Sequence, residues 1–222
     1  MRSYGQYCAL ARALDVVGDR WALLVVRELL QGPRRYGELL AGLPGIATNL
    51  LADRLRSLED SGVVTRDQGA EYALTPWGEG LHDVVYALGR WARPLMSRPA
   101  GTDEFRSHWL SSFVVALFEG VDPRRGDLAV EIHVGERPMA LISSGGRVHL
   151  TAGTTSTPDI TLTGPPDAVI GLIAGAVSRG DAEHLGVVID GDARALSRLR
   201  PDSAVSPRLS PPRQPEASGQ RP

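Results

Sequence analysis

Residues 34–74 have the sequence RRYGELLAGLPGIATNLLADRLRSLEDSGVVTRDQGAEYAL, and this stretch decides the fold of the first half of the chain. Apolar residues recur every three or four positions in two segments, so we expect a helix over residues 36–41 and a second over residues 48–61. The glycines and the proline between these segments predict a tight turn. Residues 63–66 and 71–74 flank a polar turn and predict a β-hairpin.

Helices are also predicted on both sides of this stretch. Residues 7–17 place apolar side chains at helical spacing, and Asp19 is predicted to be the N-cap of a helix over residues 20–30. Thr75 and Pro76 are a strong helix start, and the helix that follows is predicted to reach to about Met96. Two short helices joined by a tight turn and followed by a hairpin are the parts of a winged helix-turn-helix.

The second of the two short helices has the pattern of a DNA-recognition helix. Leu51, Leu55 and Leu58 form one buried stripe, which leaves a polar face opposite. In a major groove an Asn pairs with adenine, an Arg with guanine and an Asp with the amine of cytosine. The same residues are also compatible with a merely solvated face. The predicted DNA-binding residues are Arg34, Arg35, Thr48, Asn49, Ala52, Asp53, Arg56 and Arg66.

The net charge limits the DNA affinity of one copy of the chain. The whole chain carries 24 basic residues, all of them Arg, and 26 acidic ones. Residues 1–98 hold 12 Arg and 11 acidic residues, a net charge of +1. Asp53 would be repelled by phosphates unless it binds a cytosine amine or pairs with Arg54 or Arg56. Affinity must therefore come from local placement of charge, and dimerisation would add to it.

An apolar stripe along the helix after Pro76 is predicted to form a twofold dimer interface together with the first helix. Such a stripe is more often intramolecular core, but this small domain offers little else to cover it. The residues assigned to the interface are Leu10, Leu81, Val84, Leu88, Trp91 and Leu95.

The run CALARALDVVGDRWALLVVRELLQGPRRYGELLAGLPGIATNLLADRLRSLEDSGVV, residues 8–64, followed by YALTPWGEGL, resembles the HxlR-type winged-helix regulators. The resemblance covers residues 7–96 and rests on the order of GDRW, RELL-x-GPRRYGEL, LPGI and L-x-x-RL-x-x-LE-x-x-G. It implies a dimeric cytoplasmic repressor or activator on a near-palindromic operator. Ala47 departs from the family pattern, which has a capping Ser or Thr there, so we expect Thr48 to cap the helix one residue later.

Cys8 is the single cysteine, which excludes an internal disulfide. Some relatives in the HxlR-type family sense oxidants or electrophiles through a cysteine near the start of the first helix, and Arg12 is then the expected neighbour of the thiolate. The alternative, which we favour, is a small residue buried in a dimer core.

The second half of the sequence predicts an α+β domain. Helices are expected over residues 103–119, from Pro165 onward, and over 192–199 at the end of the domain. Strands are expected over 127–134, 138–142, 147–151, 159–163 and 187–190, with a turn at Gly145-Gly146. The runs PDITLTGPPDAVIGLIAGA and GVVIDGDARALSRL resemble the sterol-carrier-protein-like lipid-binding fold. That resemblance implies an apolar tunnel, for which we expect a lining of Trp109, Phe113, Leu117, Leu141, Ile170 and Ile173; a dry packed core is the alternative.

The complete prediction is an α+β chain of two domains. Residues 1–98 form the winged helix-turn-helix and dimerisation domain (mainly α, with a β-hairpin wing), 99–102 a linker, 103–200 the sterol-carrier-like domain and 201–222 a disordered tail. The five histidines have no metal-ligand spacing and no nucleophile or nucleotide motif occurs, so we expect no enzyme, no metal and no cofactor.

We expect a cytoplasmic homodimer that binds double-stranded DNA and a small apolar ligand, with no membrane span or leader. The alternatives are a thiol sensor acting through Cys8, or a lipid-binding protein that dimerises through its helical domain.

Overall fold

The leucine stripe of the predicted recognition helix is buried. A computed structural model describes residues 3–67, 70–92, 95, 103–110, 118 and 121–199. Helix α4 (Thr48–Asp60) turns Leu51, Leu55 and Leu58 inward, each with at most 1% of its surface exposed. The spacing of i, i+4 and i+7 puts these side chains on one face, which confirms the helix and its buried side.

The chain divides into two compact units, Met1–Leu88 and Gly89–Pro222. The first unit contains the predicted helix, turn, helix and hairpin in order. Its elements before the hairpin are α1 (Ala9–Val17), α2 (Ala22–Leu29), β1 (Arg34–Arg35), α3 (Tyr36–Gly42) and α4. The hairpin strands β2 (Val64–Arg66) and β3 (Glu71–Leu74) follow, and then α5 (Pro76–Glu79) and α6 (His82–Ala92), the last of which extends past the boundary of the unit.

The wing is a three-stranded antiparallel sheet in the order β1-β3-β2. Strand β1 was not predicted, because it has only two residues and pairs with a strand that lies far along the chain, Arg34 opposite Tyr72. The pairing ties the segment before α3 to the wing.

Two expectations about helix caps are wrong. Asp19 does not cap α2, because Trp21 takes the N-cap position in a left-handed conformation with φ 80° and the helix starts at Ala22. Thr48 is the first residue of α4 and not its cap; Ala47 holds that position, and no side chain caps the helix.

The helix that begins at Pro76 is also shorter than expected. Thr75 caps it as predicted, accepting a hydrogen bond from the Gly78 N–H at 3.0 Å. The helix ends after Glu79 and resumes at His82. Glycines weaken helices, and a Cβ on Gly78 would lie 2.1 Å from the carbonyl oxygen of Val63. Close packing against the hairpin therefore takes precedence over a continuous helix.

The second unit is an α+β arrangement around a five-stranded sheet. Its strands are β4 (Leu128–His133), β5 (Met139–Ser144), β6 (Arg147–Ala152), β7 (Ile160–Thr163) and β8 (Val188–Gly191). Its regular helices are α7 (Pro166–Ile173) and α8 (Arg179–His184), with short 3-10 helices at Pro123–Arg125 and Ala193–Leu199.

The sheet order is β6-β5-β4-β7-β8, with β4 and β7 parallel and the other pairs antiparallel. Alternate residues of β4, Leu128, Val130 and Ile132, lie in the core of this unit together with the apolar side chains of α7. Gly145 and Gly146 form the predicted turn, with φ 56° and 77°, a conformation that glycine adopts at low cost.

Helix α8 was missed by the sequence analysis, and the closing helix is a 3-10 helix. Trp109 and Leu110 are helical as expected, but residues 103–108 are not helical, so the predicted start of this helix at residue 103 is wrong. Residues 111–117 of the predicted helix, among them Phe113 and Leu117, lie outside the described residues. Met96, the predicted linker and the predicted tail also lie outside them.

Candidate nucleic-acid interface

The face of α4 opposite the leucine stripe is open to solvent. Asn49, Asp53 and Arg56 are exposed, and Ala52 is half-buried. The carboxylate of Asp53 and the guanidinium of Arg56 form an ion pair across one turn at 3.0 Å, one of the two pairings that the sequence analysis required of Asp53. The exposed face thus combines a donor of Arg type, an acceptor of Asp type and an amide, which are the groups that recognise base edges.

The start of α4 is fixed by the helix before it. The hydroxyl of Tyr36, the first residue of α3, donates a hydrogen bond to the carbonyl oxygen of Thr48 at 2.5 Å. Thr48 is itself exposed. Since the bond joins the first residues of the two helices, it holds the helix-turn-helix together.

The two arginines before α3 have different surroundings. Arg34 is half-buried and its Nε donates to the carbonyl oxygen of Glu28 at 3.3 Å. Arg35 is exposed and pairs loosely with Glu71 of the wing, also at 3.3 Å. An exposed pair of this kind contributes little to stability, so Arg35 is available to a phosphate at small cost.

The base of the wing carries Arg66. It is exposed, and its guanidinium lies 5.2 Å from the centre of the Tyr72 ring. This contact is within the range of a cation–π interaction and keeps the charge at the edge of the hairpin.

A buried ion pair behind the helix-turn-helix was not predicted. Glu28 is fully buried, and its carboxylate lies 2.8 Å from the guanidinium of Arg27. Burial lowers the pKa of Arg27 below its usual value, and the neighbouring carboxylate opposes that effect. A Cβ on Gly42, the last residue of α3, would lie only 2.5 Å from Oε2 of Glu28, so a glycine there lets the carboxylate approach the helix. The sequence signal was a charged residue within the apolar face of α2.

A second ion pair joins the turn before α2 to the recognition helix. Arg54 of α4 pairs through Nη1 with Asp19. The pair borders a cleft of about 590 Å³ between the N-terminal segment, the end of α1 and α4. The cleft is lined by Ser3, Tyr4, Leu14, Asp15, Gly18, Asp19, Asp53, Arg54, Arg56, Ser57 and Asp60.

Most of the side chains assigned to a dimer interface are exposed. Leu10 of α1 is 67% exposed and Trp91 of α6 is 65% exposed, and no residue of α6 is fully buried. Val84, Leu88 and Leu95 are also exposed apolar residues. Leu81 differs from them, because it is half-buried and packs against the core of the first unit.

Cys8 is exposed and lies immediately before α1. The backbone N–H of Ala11 and, to a smaller extent, that of Leu10 lower the pKa of the thiol, because first-turn N–H groups favour a negative charge. The guanidinium of Arg12, the expected neighbour of the thiolate, lies 4.8 Å from the centre of the Tyr7 ring.

Three of the six residues predicted to line the ligand site lie in the packed core of the second unit. Leu141, Ile170 and Ile173 are buried and Trp109 is half-buried. Ile173 also borders a cavity of about 280 Å³. The cavity is lined by Leu172, Ile173, Gly175, Val177, Ser178, Arg179, Ala193, Arg194, Leu196 and Ser197. Separately, none of the helices in the described part of the chain has the length and apolar character that a membrane span requires.

Comparison with known proteins places the first unit in a family. Residues 16–99 match the HxlR-like helix-turn-helix family. An uncharacterized HTH-type transcriptional regulator of Synechocystis sp. is 39% identical over 90 residues, which are 38% of this chain and 67% of the relative. The HTH-type transcriptional regulator YvaP of Bacillus subtilis is 37% identical over 87 residues, 36% of this chain and 81% of the relative.

Among solved structures, the quinone-bound YodB of Bacillus subtilis is 33% identical and matches 38% of this chain and 94% of its own, with a TM-score of 0.36. Residues 16–99 match the family, and the chain matches most of YvaP. The helix-turn-helix that the family description names is present in the first unit as α3 and α4. The chain therefore belongs to the HxlR-like helix-turn-helix family and is a DNA-binding transcriptional regulator.

Proposed function

We propose that α4 enters the major groove and recognises the operator through Asn49, Ala52, Asp53 and Arg56. The exposed polar face of α4 opposite its buried leucines is the observation that carries this proposal. Arg34, Arg35, Thr48 and Arg66 flank that face and contact the phosphates. The protein acts in the cytoplasm.

The regulator works as a homodimer. The exposed apolar side chains on α1 and α6 support this, because an exposed apolar patch is typical of a surface that a partner protein covers. The six residues assigned to the interface are Leu10, Leu81, Val84, Leu88, Trp91 and Leu95. A twofold pair of recognition helices implies an operator with two half-sites about one helical turn apart.

The second domain, residues 103–200, is sterol-carrier-like and holds a small apolar ligand. Support comes from β7, α7, β8 and the final 3-10 helix, which follow one another in the order on which the resemblance rests, with α8 as an additional helix before β8. The ligand lies among Trp109, Phe113, Leu117, Leu141, Ile170 and Ile173 and changes the spacing of the recognition helices. Residues 99–102 are the linker and 201–222 a disordered tail.

Selection of random DNA with the purified full chain tests the DNA-binding proposal. Wild-type protein is expected to enrich a near-palindromic sequence, and the Arg56→Ala variant is expected to lose the enrichment at one position of each half-site. Selection of the same bases by the variant would show that Arg56 does not read DNA. Mass spectrometry of an organic extract of the purified protein identifies a retained apolar ligand.

A second candidate function is thiol sensing through Cys8, which the exposed position and lowered pKa of the thiol favour. Operator binding is measured before and after treatment with diamide, for wild type and for Cys8→Ser. A response in the wild type that the variant lacks supports sensing. Equal behaviour of the two proteins contradicts it.

A further inference from the structure

The sequence Gly18-Asp19-Arg20-Trp21 forms the turn between α1 and α2, and recognition of bases and phosphates does not explain it. Its acidic residue is not the helix cap that its position suggested. Its aromatic residue has φ 80°, which is costly for a side chain of that size. A conformation of this kind persists only where surrounding contacts hold it.

The first of these contacts is the ion pair between Asp19 and Arg54. Arg54 lies in the middle of α4, next to Asp53 of the exposed face. Its side chain is only 22% exposed, and its Nε is buried without a hydrogen-bond partner among the described residues. The guanidinium has therefore lost part of its hydration, and the ion pair with the mostly exposed Asp19 fixes its direction.

The second contact is made by Trp21. Its half-buried ring packs against the core of the first unit, and its Cη2 lies 3.8 Å from the position that a Cβ of Gly45, in the turn between α3 and α4, would occupy. The guanidinium of Arg20 lies 5.6 Å from the centre of the ring. The same turn thus pairs with α4 at its middle and approaches the chain just before its start, and two separate points restrict the direction of a rigid helix.

We infer that Asp19 is a positioning residue for DNA binding: through Arg54 it holds the recognition helix at a fixed orientation relative to α1. The inference rests on the proposed role of α4 in the major groove. Because α1 also carries part of the proposed dimer interface, the ion pair links the interface to the orientation of the helix that reads DNA. Asp19 itself is 63% exposed, so its contribution to stability is small, and its effect is expected mainly in binding.

A double-mutant cycle of Asp19→Ala, Arg54→Ala and the double variant tests this on the operator selected by the wild type. Asp19→Ala is expected to weaken operator binding about tenfold, a typical coupling for residues in contact. In the Arg54→Ala background the same substitution is expected to change nothing further. The unfolding temperature of Asp19→Ala stays within about 4 °C of wild type.

The cycle separates positioning from a simple effect of charge, because Asp19→Ala adds the same net charge in both backgrounds. Asp60→Ala is the matched control, since it removes an exposed carboxylate from the same cleft and leaves the ion pair intact. This control is expected to bind the operator at least as tightly as wild type. A loss of affinity in the control equal to that of Asp19→Ala would overturn the inference.

The inference is also wrong if Asp19→Ala binds within twofold of wild type, or if the two substitutions weaken binding independently. These outcomes differ from a failure of the proposed function, in which the wild-type protein itself selects no DNA sequence.

Discussion

The guanidinium of Arg56 lies 3.0 Å from the carboxylate of Asp53, one turn earlier on the exposed face of α4. Both side chains are about two-thirds exposed, at 67% and 62%, so water and salt screen the pair and it adds little to stability. The pair holds a donor and an acceptor side by side on the face proposed to meet base edges. An Arg recognises guanine and an Asp accepts from cytosine, so the pair fits a G·C-containing position of the operator.

Replacement of Arg56 by Ala is expected to weaken operator binding by about 1–3 kcal/mol and to abolish base preference at one position of each half-site. The measurement is fluorescence anisotropy on the selected operator and on operators with each base pair changed in turn. Arg179→Ala is the control, because it removes an exposed Arg of α8 that pairs only with Glu183 among the described residues. Equal weakening on every sequence would assign Arg56 to a phosphate and not to a base.

Replacement of Trp91 by Arg is expected to convert the proposed homodimer into a monomer. Trp91 is 65% exposed on α6, and a buried charge at a twofold interface is introduced in both copies at once. Light scattering after size-exclusion chromatography measures the mass. Leu185→Arg is matched to it, since Leu185 is a 56% exposed apolar residue outside the proposed interface. If both variants keep the wild-type mass, α6 does not form the interface.

The periodicity of the sequence was sufficient to predict the helices and strands that bury one face. The stripe of Leu51, Leu55 and Leu58 specified α4 to within one residue, and alternation specified β4. The short helix α8 had a signal that was overlooked. Ser178 caps it and bonds to Asp181, the spacing of a capping box, with Oγ to Oδ2 at 2.6 Å.

The contacts that position the candidate site were beyond sequence reasoning. Asp19 and Arg54 are 35 residues apart, and nothing local distinguishes an Asp that caps a helix from one that pairs across the fold. Strand β1 and the buried Glu28 likewise depend on partners from other segments. Local patterns therefore gave the elements and the exposed face of α4, and tertiary contacts decided how α4 is held.

Replacement of Gly42 by Ala is expected to destabilise the first unit, although Ala favours helix by up to about 1 kcal/mol. The new Cβ would lie 2.5 Å from Oε2 of Glu28, and that buried carboxylate cannot move away without loss of its contacts. The clash outweighs the propensity, with a net cost of about 1–3 kcal/mol in the free energy of unfolding measured in urea.

The matched substitution in the same helix is Gly37→Ala, where an added Cβ meets nothing within 4 Å. There the propensity acts alone, and a gain of up to about 1 kcal/mol is expected. A gain in the free energy of unfolding in both variants would show that the side chain of Glu28 moves to make room for the new methyl group.

The thiol of Cys8 is expected to react as a thiolate at lower pH than an ordinary cysteine. The N–H groups of Ala11 and Leu10 lower its pKa in the folded chain and cannot do so when α1 is unfolded. The rate of alkylation by iodoacetamide, measured against pH, should therefore reach half its maximum at a lower pH in native protein than in protein unfolded by guanidinium chloride. Coincident profiles would show that the start of α1 does not lower the pKa of the thiol. That result would contradict the lowered pKa on which the proposal of sensing through Cys8 rests.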